Sequence, residues 1–309
     1  MILCFWVVSY HYLRKNKINY LLLHITKHYF FHVPCFAFIS FFFSYNIFFD
    51  ANILKFKKRL ERLLMPYIIW PLIFLIINNI VNHSNPIHFY DLLLQLLLGR
   101  QFLIPHWYLF SMIFLSIILF IISLLLKNYF LYIIELLFFV SYMIQYSNYY
   151  EFLNLYKNNI RLPLIDTITI FPLSLSGIIF AYSKKIDILK TYKTNSIFLS
   201  FVCIYALIKY NIFVKIGTYA GIINIFASLF LFIGFYLLPL NNLPLWCNKV
   251  INQITNYTNG VYCLHTKIFL IVNIDGTLIS IFKLYLISYF ISFLGEKITR
   301  KTKLKYLFI

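Results

Sequence analysis

Charge is scarce in this sequence. Asp, Glu, Lys and Arg make up only 12% of the 309 residues, about half the share of a soluble domain. That shortage excludes a water-soluble globular fold for the chain as a whole, and no stretch between its apolar runs is long enough to fold alone. Carboxylates are rarer still: nine Asp and Glu stand against 27 Lys and Arg, a formal net charge of +18. Cysteine is sparse too. Cys4, Cys35, Cys203, Cys247 and Cys263 are scattered and odd in number, which offers neither a disulfide framework nor a metal-ligand spacing. No basic segment precedes the first apolar run and no small-residue cleavage site follows it, which argues against a signal peptide. An internal repeat is also missing, and with it the sequence mark of an inverted-repeat transporter.

What is abundant is hydrocarbon. Hydrophobic residues are 62% of the chain, aromatic ones 21%, and mean hydropathy is +0.81. Heavy use of Phe, Ile, Tyr, Asn and Lys fits AT-rich coding, so a single aromatic residue carries little weight. Apolar runs of about 20 residues recur along the whole length, the signal of transmembrane helices. They cover residues 1–12, 29–49, 63–81, 107–126, 130–146, 164–182, 196–214, 219–240, 261–274 and 278–294. The sequence therefore predicts an all-α, polytopic membrane helical bundle of about ten transmembrane helices, one integral-membrane domain over residues 1–309. The run at 92–98 is too short to span and reads as interfacial or re-entrant. The mixed segment 241–259 reads as an amphipathic surface helix. The first run has 12 residues, roughly 18 Å of helix against the ~30 Å of a bilayer, so either the helix continues into the polar stretch beyond or, as the expectation taken here, the first helix is truncated at its N-terminus.

One basic patch orients the rest. Lys55, Lys57, Lys58, Arg59 and Arg62 stand between the second and third runs. A charge at the bilayer centre costs roughly 3 kcal/mol or more, so the patch belongs at a membrane face, and the positive-inside bias makes that face cytoplasmic. On that assignment sixteen Lys and Arg fall on the cytoplasmic side and eight on the other. Lys209, Lys267 and Lys283 lie inside or at the ends of spans. Both termini are expected in the cytoplasm. Because the cations flank membrane spans, anionic membrane lipid is the expected partner, and nucleic acid is not. Clustered Lys and Arg at a helix end also bind phosphates through charge-assisted hydrogen bonds, which would suit a cytosolic donor such as a coenzyme A thioester.

Several other residues have the chemistry for function. His11 sits in the first run, and a neutral imidazole can act as general base or acid near pH 7; it can equally be a satisfied helix–helix contact. His24, His28 and His32 recur at i, i+4, i+8 and would share a helix face. No Asp, Glu or Cys accompanies them at ligand spacing, so the expectation is no metal site but a membrane-surface or substrate-facing stripe. Pro105-His106-Trp107-Tyr108-Leu109 opens the fourth run. Trp and Tyr belong at an interface in any membrane protein, and aromatic faces also stack on sugar rings. Glu135, within the fifth run, is costly in lipid and is expected to face the bundle, with Lys209 as a possible partner. Asp166 and Asp275, near run ends, read as interfacial or snorkelling.

These stretches together resemble the membrane acyltransferase-3 family. Val7-Val8-Ser9-Tyr10-His11 is similar to the end of the family's first-helix motif, an arginine ahead of a histidine. Val33-Pro34-Cys35-Phe36-Ala37-Phe38-Ile39-Ser40 is similar to its second-helix segment, which usually ends Ser-Gly. Phe56-Lys57-Lys58-Arg59-Leu60-Glu61-Arg62-Leu63-Leu64-Met65-Pro66-Tyr67-Ile68-Ile69-Trp70 resembles its basic loop and following helix, and His106-Trp107-Tyr108-Leu109 its His-x-Trp-Phe/Tyr-Leu region. Phe171-Pro172-Leu173-Ser174-Leu175-Ser176-Gly177 and Asn259-Gly260-Val261-Tyr262-Cys263-Leu264-His265 match more weakly. Two features depart from the pattern. The first-helix arginine would fall at or just before Met1, and Phe41 stands where the family usually has glycine.

The resemblance implies a membrane-bound O-acyltransferase of the bacterial cytoplasmic (inner) membrane. It would take an acyl group, by default acetyl, from acetyl-CoA at the cytoplasmic mouth. Lys57, Lys58, Arg59 and Arg62 would face the donor's phosphates. His11 would deprotonate the acceptor hydroxyl or relay the acyl group. The acceptor, a cell-surface polysaccharide or lipid-linked sugar, would approach near His106, Trp107, Tyr108 and Glu135. Two rival readings are a glycan or lipid-precursor transporter or flippase built on a Glu135–Lys209 pair, and an inactive truncated relative.

Overall fold

A computed structural model describes residues 4–5, 7–9, 12, 32–81, 90, 93, 96, 107–146, 163–183, 190–214, 222–238, 243–271 and 278–309. Among these the chain is all helical, with no strand. The helices are α1 His32–Phe42, α2 Tyr45–Phe49, α3 Ile53–Val81, α4 Trp107–Leu125, α5 Phe130–Tyr146, α6 Pro163–Tyr182, α7 Lys193–Val214, α8 Ile222–Leu237, α9 Leu245–Asn256, α10 Thr258–Ile271 and α11 Leu278–Thr299. A 3-10 turn, Lys127–Tyr129, joins α4 to α5, and a 3-10 segment, Lys303–Leu307, follows α11. The described residues of the first run are helical as well.

By length and composition, four helical stretches among the described residues can cross a membrane: Ile53–Ile77, Trp107–Leu125, Lys127–Ile144 and Ile279–Thr299. Val33–Phe42, Thr167–Tyr182 and Ile225–Leu237 are apolar but shorter. The expected surface helix in 241–259 is α9; none of its residues is buried, and Leu245 and Trp246 are open.

The largest departure from the expected boundaries is at the basic patch. It is not a loop. The helix starts at Ile53, so the patch forms the first turns of the 29-residue α3. The local cause is a cap: Asn52 Oδ1 accepts the Lys55 N–H at 3.0 Å, satisfying one of the donors that open a helix. Lys, Arg, Leu and Glu are all good helix formers, so nothing in 55–64 resists the extension. Ala51, at φ 51, makes the left-handed turn that separates α2 from α3.

Two packed groups meet along α3 and α4. In the first, α6 lies against α1, α4 and α5, and α8 against α1 and α7. Phe41, Phe48, Trp107, Met112, Leu119, Phe130, Ile134 and Ile170 fill its interior. In the second, Cys4, Val8 and Tyr12 of the N-terminal helix pack with Tyr67, Trp70 and Phe74 of α3 and with Val261, Cys263 and Leu264 of α10. Apolar burial drives little helix association in lipid, so close packing and polar contacts decide the arrangement. Gly177 of α6 allows a close approach to the α1 backbone: a Cβ there would collide with the Phe38 carbonyl oxygen and lie 3.1 Å from Phe42 N. Ser111 Oγ and Thr167 Oγ1, 2.7 Å apart, tie α4 to α6, and Ser123 Oγ donates to the Phe48 carbonyl, tying α4 to α2. Other serines return their hydroxyl protons to the carbonyl one turn back, as Ser174 does to Ile170 at 3.0 Å and Ser288 to Leu284 at 2.8 Å. Their polarity is thereby hidden within the helix.

The last residues close the second group. Trp70 Nε1 donates to the Leu307 carbonyl at 3.1 Å, and Phe308 meets the Trp70 ring edge to face at 5.6 Å. Gly260 and Gly295 leave the room: a Cβ on Gly260 would sit 2.7 Å from the Phe308 carbonyl oxygen, and one on Gly295 would enter the Phe308 ring. Lys303 Nζ reaches Glu61 Oε1 at 2.7 Å, and the Arg62 guanidinium lies 5.8 Å from the centre of the Tyr306 ring.

Candidate functional site

A helix that carries cations at i, i+3, i+4 and i+7 presents them as one stripe. Lys55, Lys58, Arg59 and Arg62 have that spacing on α3. The stripe faces the α1–α2 corner, and between them lies a cavity of about 530 Å³, lined also by Ser44, Asn46 and Ile47. Lys57 does not line it; the lysine is exposed on another side of α3. Of the four residues expected at a donor site, Lys58, Arg59 and Arg62 are brought together, and Lys55 joins them.

Arg59 turns inward from this stripe. Its Nε donates to Ser116 Oγ at 3.1 Å, one terminal nitrogen to Ser44 Oγ at 2.6 Å, and the other to Ser40 Oγ at 3.0 Å. The guanidinium also lies over the Phe41 ring at 4.9 Å and near the Phe48 ring at 5.9 Å. No carboxylate pairs with it among the described residues. Three hydroxyls and two ring faces hold the cation in place without cancelling its charge, so the back wall of the cavity keeps a positive group that can attract an anion. Phe41, the departure from the family's usual glycine, supplies the nearer ring face. The serines of this cage were not singled out from sequence, because hydroxyl side chains in apolar runs more often bond their own helix.

Tyr108, at the start of α4, is half-buried and within electrostatic reach of Arg59. Its ring meets Phe36 of α1 at 6.4 Å and Tyr262 of α10 at 5.9 Å. Trp107 is buried in the first core group. Tyr108 keeps part of its surface open. The expected inward placement of Glu135 is corrected. Phe130, Ile134 and Ser141 form the buried face of α5, which leaves Glu135 exposed beside Leu136 and Tyr132.

Several expected residues lie outside the described residues: His11, His24, His28, His106, Asp275 and most of the short run at 92–98. His32 opens α1, Asp166 lies in α6 and Lys209 in α7, and nothing is described of their side chains. The five cysteines are unbridged. No cluster of His, Cys, Asp and Glu able to hold a metal occurs among the described residues.

Comparison with known families decides what this helical chain is. A family model for the acyltransferase domain matches residues 1–299. The chain belongs to the membrane acyltransferase-3 family. No curated protein and no solved structure matches it. Membership and the apolar helices together make this acyltransferase-3 protein an integral membrane acyltransferase. The match extends from the N-terminal helix to the end of α11, so the cationic cavity and the Tyr108–Tyr262 contact both fall inside the acyltransferase domain.

Proposed function

We propose that the protein transfers an acyl group, acetyl by default, from a cytosolic acyl-CoA across the bacterial cytoplasmic membrane to a hydroxyl of a surface polysaccharide or lipid-linked sugar. The observation that carries this reading is the cavity of about 530 Å³ with Lys55, Lys58, Arg59 and Arg62 on one wall. A nucleotide thioester carries several phosphates, and a stripe of cations on a rigid helix matches them by charge-assisted hydrogen bonds. In this reading about ten helices cross the membrane, both termini lie in the cytoplasm, and anionic lipid surrounds the basic face. His11 acts as general base or acyl relay, and the acceptor approaches past His106, Trp107 and Tyr108. The transporter alternative relies on a Glu135–Lys209 pair, and Glu135 faces away from the bundle.

The decisive experiment is the O-acetyl content of the surface glycan, read by NMR in a deletion strain, its wild-type complement and a complement carrying His11→Ala. Loss on deletion, rescue by wild type and no rescue by His11→Ala are expected. No change on deletion overturns acetylation of that glycan. Rescue by the variant removes His11 from the chemistry.

A further inference from the structure

The cationic cavity has a second kind of lining that the phosphates of a donor leave unused. Phe43 and Asn46, from the α1–α2 corner, line it together with the stripe of α3. Phe43 is 63% exposed. The rings of Phe42 and Phe232 stand steeply to it, with centroids 5.2 and 6.1 Å away, and Tyr236 lies tilted at 6.4 Å. These contacts hold the ring in place, yet among the described residues no ring is stacked parallel on either of its faces. Ser44, the next residue, accepts from Arg59 at 2.6 Å, so the open ring is tied to the fixed cation through the corner. Asn46 is exposed, and its backbone carbonyl accepts the Asp50 N–H at 3.1 Å. Its carboxamide, which can both donate and accept, has no hydrogen-bond partner among the described residues.

An exposed aromatic residue at a membrane face can serve simply as an interface anchor. What sets Phe43 apart is its company. An open ring, an unpaired carboxamide and a stripe of cations surround one cavity of about 530 Å³, a ligand-sized volume. Each matches a different part of a nucleotide. Cations take phosphates, and aromatic rings stack on bases. A carboxamide pairs twice with adenine, whose amino group donates beside an accepting ring nitrogen. On guanine the same edge offers two acceptors, and one of the two bonds is lost.

We propose that Phe43 and Asn46 bind the adenine of the acyl donor and make the cavity selective for adenine nucleotides over other polyanions. The inference rests on the acyl-CoA reading of this cavity and names the part of the donor that the corner recognises. Phe43 stacks on the base, the Asn46 carboxamide pairs with its edge, and the cations of α3 take the phosphates.

The test uses the full chain in nanodiscs and titration calorimetry. The ligands are acetyl-CoA and acetyl-phosphopantetheine, which has the same thioester arm without adenosine, with ADP and GDP as competitors. The unsubstituted chain is expected to bind ADP about tenfold more tightly than GDP. Phe43→Ala should weaken acetyl-CoA about tenfold and leave acetyl-phosphopantetheine within about twofold, whereas Phe43→Trp, which keeps a stacking face, should stay within about threefold for acetyl-CoA. Asn46→Ala should bring ADP and GDP within about twofold of each other. Both side chains are exposed, so melting temperatures should stay within about one degree. Equal affinity of the unsubstituted chain for ADP and GDP, a result that needs no variant to fold, overturns the inference. So does wild-type acetyl-CoA affinity in Phe43→Ala, which makes Phe43 a membrane-interface residue only. In either case acetyl-CoA binding in the same titration leaves the acyltransferase reading standing. An unsubstituted chain that binds no acetyl-CoA overturns both readings together.

Discussion

Lys57 and Arg59 are two residues apart on one helix and meet different environments. Two positions are about 200° around a helix, so Lys57 looks outward while Arg59 enters a cage of Ser40, Ser44 and Ser116. Arg59→Lys keeps the charge but loses the planar fork that reaches three hydroxyls. A lost charged hydrogen bond costs about 1.5–3 kcal/mol of stability, so the melting temperature should fall by several degrees, and with the cation no longer fixed at the cavity wall titration calorimetry with acetyl-CoA should show weaker binding. Lys57→Gln should leave it within about twofold. Glu135→Gln should not lower transfer, because the carboxylate faces outward. That the patch suits phosphates was readable from its composition. Which of its members share one cavity wall was not, because a wheel can be drawn only once 55–62 is known to be helix, and that was decided by the Asn52 cap.

Among the helices, the apolar runs located most of the elements. The run at 130–146 is α5 to the residue, and that at 107–126 is α4 with one residue fewer. Length and hydropathy suffice where a helix is bounded by a tight basic turn such as Lys127–Tyr129. They fail at α3, whose first turns are polar, and at residues 29–49, which break into α1 and α2 at Phe43 and Ser44. Hydropathy also carries no information on which helices touch. The α1–α6 contact depends on Gly177, and overpacking a tight contact costs about 1–3 kcal/mol. Gly177→Ala should therefore lower the melting temperature in detergent by several degrees. Gly234→Ala is its control: a Cβ there meets Ser200 Cβ at 3.5 Å, an ordinary contact, and the melting temperature should stay within about one degree.

Across the whole molecule, the cationic cavity depends on how α3 is held, and α3 is held from both groups. Ser116 of α4 and Ser40 of α1 grip it through Arg59; Leu307 and Phe308 grip it through Trp70. Truncation after residue 302 should lower thermal stability and weaken acetyl-CoA binding together. Trp70→Phe, which loses the bond to the Leu307 carbonyl, about 0.5–1.5 kcal/mol, and part of the ring packed on Phe74 and Phe308, should show a smaller drop. The donor affinity of both variants, followed beside the melting curve, checks this coupling. None of it was legible in the sequence, where the basic tail reads as one more cationic flank.

The Trp70–Leu307 bond joins positions 237 residues apart, and that separation sets an order of events during synthesis. Trp70 leaves the ribosome long before its partner exists, so α3 must wait with its socket empty while the residues between them are made. The clasp can shut only after Leu307 and Phe308 have emerged. A chain stalled short of them would carry α1 to α11 and still lack the closure, which makes the open socket beside Gly260 and Gly295 a mark by which membrane quality control could tell stalled copies from others.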